Sequence, residues 1–148
     1  GRAIAHVLAR NGAKVVGTAT SDHGAANIAA DLRAIGNGST GIRLDVSDAA
    51  AVEAALAHCE AHVGTITILV NNAGIARDNL LLRMKDDEWD SIMATNLKPA
   101  YRLAKGVLRG MMRMTSLARL STRIAVPTAS ITSMDSVLLS SQGRAAKA

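Results

Sequence analysis

The sequence predicts an α/β protein, a doubly wound parallel sheet with helices on both faces. Three observations predict it. Short apolar runs recur at residues 13–19, 41–46 and 65–70. Segments of helical period and crossover length separate them. Each run ends abruptly at polar or small residues, as strands do at the carboxyl edge of such a sheet.

The elements follow in order. Residues 2–11 place Ala3, Ile4, Val7 and Leu8 on one helical face, and Asn11-Gly12 supplies the stop. Residues 13–19, AKVVGTA, read as a buried strand. Helical period returns over 22–35 through Ile28, Leu32 and Ile35 and ends at Gly36. A second strand is expected at 41–46, GIRLDV. Ser47 is the expected cap of a helix over 48–63, with Asp48 favourably placed at the positive end of the helix dipole. Its apolar stripe is Val52, Leu56, Cys59 and Val63. A third strand, TITILV at 65–70, stops at Asn71-Asn72-Ala73-Gly74. A long helix follows over 86–114, interrupted at Pro99, whose missing N–H cannot serve the carbonyl of Thr95.

Composition narrows the function classes. Of 148 residues, 49% are hydrophobic and 20% charged, which excludes a wholly disordered chain. Aromatics are 1%, so the core must be built from Ala, Val, Ile, Leu and Met. One cysteine, Cys59, excludes an internal disulfide and a cysteine-cluster metal site. His58 and His62 stand one helical turn apart without a matching third ligand, so no metal site is expected. The net charge of +5 is uneven. Residues 1–100 carry 9 Lys and Arg against 11 Asp and Glu, and residues 101–148 carry 8 against 1. The basic stretch has one aromatic and scattered arginines, so nucleic acid is not an expected partner. No apolar run approaches the ~20 residues of a membrane span. No signal-peptide pattern opens the chain, and the cytoplasm is the expected compartment.

The carboxyl edge of a parallel sheet is where ligands bind. The readable strand ends are Thr18-Ala19-Thr20, Asp45-Val46 and Asn72-Ala73-Gly74, which point to a nucleotide crevice. Near residue 115 the composition shifts: 11 of the 27 residues from 115 to 141 are Ser or Thr, and periodicity fades except for a possible strand at 123–126. The expected organisation is therefore a layered domain with a nucleotide-type crevice over 1–114 and a divergent Ser/Thr- and Arg-rich tail over 115–148.

The block LVNNAGIARDNLLLRMKDDEWDSIMATNL (69–97) resembles the short-chain dehydrogenase/reductase family, and within it the bacterial 3-oxoacyl-(acyl carrier protein) reductase subgroup. GRAIAHVLARNGAKVVGTATS (1–21) is similar to the same subgroup, and the likeness runs co-linearly over about 1–114. What it implies is a Rossmann-like domain using NADPH. Gly1 matches the last glycine of the family's phosphate-binding turn, whose remainder, with the first strand, would lie upstream. That strand would sit between the strands ending at Ala19 and Val70, and without it both inner edges would be unpaired. Thr20 corresponds to a residue beside the adenosine ribose. No carboxylate occupies Thr18 to Thr20, which favours NADPH over NADH. Asp45 and Val46 match the pair that contacts adenine. Asn72, Ala73 and Gly74 match the family's NNAG motif. Asn96 matches the active-site Asn, whose backbone carbonyl at a helix kink holds a water of the proton relay.

The family's proton donor is a Tyr in Tyr-x-x-x-Lys, on the helix after the one bearing the Asn. Tyr101 and Lys105 spell that motif only five residues past Asn96, on the same helix, and are not the expected pair. At the expected positions stand Val137 and Ser141, and no second Tyr is present. Ser130, Gly143 and Lys147 are the nearest residues to the pattern. A reading-frame slip near residues 112–116 or a genuinely divergent tail would each account for this. The activity implied is reduction of a 3-oxoacyl thioester on acyl carrier protein, with acetoacetyl-CoA reduction as the alternative carrier. The other alternative is a catalytically inactive piece, or a module acting through the long helix that pairs subunits in homo-oligomers of the family.

Overall fold

The structure is a computed structural model that describes residues 1–117, 124–125 and 137–140, with side chains to residue 113. Helix α1 (Arg2–Arg10) leads through Gly12, at φ +88°, into strand β1 (Lys14–Ala19). Helix α2 (Asp22–Arg33) is capped by Ser21, whose Oγ accepts from the Gly24 N–H at 3.1 Å. Strand β2 (Thr40–Arg43) and helix α3 (Ala49–His62) follow. Strand β3 (Ile68–Val70) leads by a 3₁₀ turn (Leu81–Arg83) to helix α4 (Asp86–Ile92). One π-helical turn (Met93–Leu97) joins α4 to α5 (Lys98–Leu117), and strands β4 (Ile124–Ala125) and β5 (Val137–Ser140) complete the described elements.

The sheet order is β2-β1-β5-β3-β4. β1 pairs with β2, and β3 with β4, in parallel as expected, whereas β5 runs antiparallel to both β1 and β3. The two inner edges that the reading leaves unpaired are thus paired with β5. Two apolar layers cover the sheet. Val16, Leu44, Leu69, Val52, Leu103 and Met111 belong to one, with Cys59 fully buried in it. Ala5, Ala9, Val15, Leu32 and Val70 form the other. Alternation along β1 sends Val15 and Val16 to opposite layers, and β3 does the same with Leu69 and Val70.

Several local readings change. On α1 the inward residues are Ala5 and Ala9 with Ile4 and Leu8 beside them, while Ala3 and Val7 face outward. Alanines at the contact let the helix approach the sheet closely. The cap of α3 is Asp48, whose carboxylate accepts from Ala50 and Ala51 N–H at 2.9 and 3.2 Å. Ser47 is instead engaged by Asp45: its N–H and O–H both donate to Asp45 Oδ1, at 2.9 and 2.6 Å. The break in the long helix falls at 93–97, one turn before Pro99. There the Lys98 N–H reaches back to the Met93 carbonyl, an i+5 bond. The tail from residue 118 outside 124–125 and 137–140, with Ser130, Ser141, Gly143 and Lys147, lies outside the described residues.

A small polar knot fixes α1 and α2 to the strands they serve. Asn37 Nδ2 donates to the carbonyls of Ala9 and Ala13 at 2.9 and 2.6 Å, and the Val15 N–H donates to buried Ser39 Oγ at 2.9 Å.

Candidate active site

The candidate site is the carboxyl edge of the sheet. Thr18 and Ala19 are buried at the end of β1, and Thr20 is the first exposed residue beyond it. The Leu44 N–H donates to the Ala19 carbonyl at 2.8 Å, so the chain stays beside β1 for one residue after the β2 ladder ends. Asp45 is then exposed and Val46 buried. The two hydrogen bonds from Ser47 hold the Asp45 carboxyl below the usual carboxylate range, so it is ionised at neutral pH. Arg102 on α5 donates to the Ser47 carbonyl at 3.0 Å and ties this loop to the long helix.

Asn72, Ala73 and Gly74 follow β3, and Asn96 sits opposite them in the π turn. The Asn96 side chain clamps the backbone just past Gly74. Its Oδ1 accepts from the Ile75 N–H at 2.7 Å and its Nδ2 donates to the Ile75 carbonyl at 2.8 Å. A Cβ on Gly74 would lie 3.2 Å from Asn96 Oδ1, tighter than an ordinary contact. The glycine is what lets loop and helix meet. Thr20, Asp45, Val46, Asn72, Ala73 and Gly74 thus share one edge, and Asn96 is bound to it.

Gly1 caps α1 and accepts from the Ala5 N–H at 3.0 Å. With Arg2, His6 and Asp31 it borders a small open depression over Gly17, just before the end of β1. Arg2 and Asp31 are ion-paired there at 2.8 Å. Tyr101 points away: it is 63% exposed, with Lys105 Nζ 5.8 Å from its ring centroid. His58 and His62 stack at 4.2 Å on the exposed side of α3, and among the described residues no group of three metal-ligating side chains occurs. No helix of the described residues is long and apolar enough to cross a membrane.

Sequence reasoning found these strand ends but missed the Ser47 and Arg102 braces and the side-chain role of Asn96. Ser two residues after Asp is a readable turn signal. The other two contacts join elements far apart in sequence and had no local signal.

The family described as short chain dehydrogenase matches residues 1–148. The 3-oxoacyl-(acyl carrier protein) reductase FabG of Salmonella typhimurium is 55% identical over 113 residues, 76% of this chain and 45% of that protein. Its namesake from Pseudomonas aeruginosa is 57% identical over 111 residues, 75% of this chain and 45% of that one. The chain spans about half the length of the curated relatives it matches. Among solved structures, a gluconate 5-dehydrogenase from Burkholderia cenocepacia in complex with NADP and tartrate superposes with a TM-score of 0.69 at 36% identity, over 77% of this chain and 46% of its own. A Serratia marcescens short-chain dehydrogenase/reductase double mutant superposes equally well, at 0.69 and 31% identity, over 75% of this chain and 46% of its own.

Proposed function

The chain belongs to the short-chain dehydrogenase family, and on that premise we propose that it carries the adenosine side of an NADPH site from a reductase of 3-oxoacyl thioesters on acyl carrier protein. The observation that carries this reading is the shared edge, where the ends of β1 and β3 and the β2 extension converge and Asn96 braces the loop after Gly74. The high identity to 3-oxoacyl-(acyl carrier protein) reductases over these residues supports the substrate class. When bound, NADPH supplies the hydride.

The roles of this chain's residues follow from their chemistry. Asp45, kept ionised by Ser47, is an acceptor suited to an adenine amino group, with Val46 as the apolar wall beside it. Thr20 offers a neutral hydroxyl where a carboxylate would repel a 2′-phosphate. Gly1 opens α1 with the free N–H groups of a helix start. Ala73 and Gly74 keep bulk away from the crevice, and Asn72 helps fix the central strand. Asn96 holds the loop, and its kinked backbone is suited to hold a relay water. Tyr101 is turned outward, so these residues bind and orient but deliver no proton to a carbonyl, a deficit worth about 10²–10⁴-fold in rate. We therefore assign no turnover to the 148 residues by themselves.

The exposed apolar row of Leu97, at the end of the π turn, and Tyr101, Leu108 and Met112 on α5 suits pairing with a second copy, giving a homo-oligomer.

Calorimetric titration with 2′,5′-ADP and with 5′-AMP tests the reading, because the two differ only in the 2′-phosphate. We expect 2′,5′-ADP to bind about tenfold tighter, the worth of a charge-assisted contact, and Thr20→Asp to erase the difference. Binding of neither probe, or preference for 5′-AMP, overturns it.

A further inference from the structure

Arg43 closes β2, and in the ladder with β1 its Cα stands opposite Ala19, the residue before Thr20. Its neighbours Ile42 and Leu44 pack into the layer shared with α3 and α5. Alternation along the strand therefore sends Arg43 to the other face, where α2 begins. There its Nη1 meets Asp22 Oδ2, in the first turn of α2, at 3.3 Å. Two residues further along the chain is Asp45. After the Ser47 hydroxyl and N–H, the charge of Arg43 also helps to keep the Asp45 carboxyl ionised. Arg43 thus adjoins Thr20 across the ladder and Asp45 along the chain, at the adenosine end of the crevice.

The fold does not need a guanidinium at this position. Its contact with Asp22 is single and long, and the two side chains are 64% and 83% exposed. Such a surface pair is worth at most ~1 kcal/mol. The joint it would brace, α2 on β2, is already closed at Gly41, where an added Cβ would collide with main-chain atoms of Ala25 and Ala29. One N–H of the fork is engaged with Asp22, and the exposed remainder is free to bond a second anion.

Resting on the NADPH reading above, we propose that Arg43 is a specificity-determining residue, which pairs with the 2′-phosphate beside Thr20 and is held by Asp22 until the phosphate displaces that carboxylate. Thr20 only spares the phosphate a repulsion; it supplies no charge of its own. A planar guanidinium offers two parallel N–H bonds to phosphate oxygens, in the geometry that suits them. A phosphate monoester carries close to two negative charges at neutral pH, so it competes well with one exposed carboxylate for the same fork. Asp22 is then a competitor: it keeps Arg43 at the rim and weakens the phosphate contact by the same interaction.

Calorimetric titration of the 148-residue chain with 2′,5′-ADP and with 5′-AMP tests this, in the wild type and in four variants. Arg43→Met should lose about tenfold in affinity for 2′,5′-ADP and leave 5′-AMP within about twofold, so that the two probes bind alike. Arg43→Lys, which keeps the charge without the fork, should retain part of the preference. Asp22→Asn should tighten 2′,5′-ADP and not 5′-AMP, and the gain should vanish when Asp22→Asn is combined with Arg43→Met. Retained 5′-AMP binding shows that each variant is folded. A wild type that prefers 2′,5′-ADP and an Arg43→Met variant that prefers it equally would overturn the role of Arg43 and leave the NADPH reading standing. Equal loss of both probes in Arg43→Met would also overturn it, since Arg43 would then serve the whole pocket. A wild type that binds neither probe, or prefers 5′-AMP, overturns the NADPH reading and this inference with it.

Discussion

Asn96 shows how one side chain sets a loop. It has one acceptor and one donor at the end of a short stem, and both are used on the same residue, Ile75. Asn96→Ala leaves that N–H and that carbonyl without partners in a half-buried place. We expect a loss of about 1–3 kcal/mol in urea unfolding, and an unchanged midpoint would remove the clamp from the account. Asp45 makes a matching case for charge. Its folded pKa is lowered chiefly by the Ser47 hydroxyl, then by the Ser47 N–H. A carboxyl depressed on folding stabilises above its unfolded value, near 3.9, and the contribution is lost as pH falls through the folded value. Ser47→Ala removes the larger cause. The stability gap between the two proteins should be widest at neutral pH and shrink in acid, and a gap that is constant or grows on acidification contradicts this.

At the level of elements, the tightest joint is α2 on β2. A Cβ on Gly41 would run into the Ala25 carbonyl and lie 2.7 Å from the Ala29 nitrogen, both main-chain atoms of α2 that cannot rotate aside. Gly17 is less constrained, since its added carbon would meet the Ile28 side chain at 2.5 Å. Gly41→Ala should therefore cost about 1–3 kcal/mol or more, and more than Gly17→Ala. Thermal unfolding of the two variants decides it, and equal losses would mean that α2 shifts freely. The elements themselves were legible because apolar runs and helical stripes alternate over long stretches of 1–114. Their details were less so. Val7 fits the helical period of α1 yet faces outward, because position on a short helix is decided by which small residues, Ala5 and Ala9, can touch the sheet. Pro99 announces a break, but the strain is relieved one turn earlier, where Met93 gains an i+5 partner. β5 is four residues long, too short for a periodic signal.

For the whole molecule, the distribution of charge and apolar surface on α4 and α5 leads to a prediction about assembly. Leu97, closing the π turn, and Tyr101, Leu108 and Met112 on α5 follow one another at helical spacing and are 48–63% exposed. Lys98, Arg102, Lys105, Arg109 and Arg113 form a cationic row beside them. The first turn of α4 carries Asp86, Asp87 and Glu88, with Trp89 half exposed. Two copies related by a two-fold axis could lay the acidic start of one α4 against the basic row of the other α5 and cover both apolar rows in the same step. Leaving that strip in water costs roughly 25 cal/mol for each Å² that pairing would bury, whereas each rim charge pair adds at most ~1 kcal/mol and is screened by salt. Association should therefore persist in high salt and fail when the apolar row is made polar. Sedimentation equilibrium should give a species of twice 15.3 kDa at micromolar concentration. Leu108→Asp with Met112→Asp should return it to the single-chain mass with helical content intact. A chain that sediments singly at every concentration, or a double variant that still pairs, would place the contact elsewhere on the molecule.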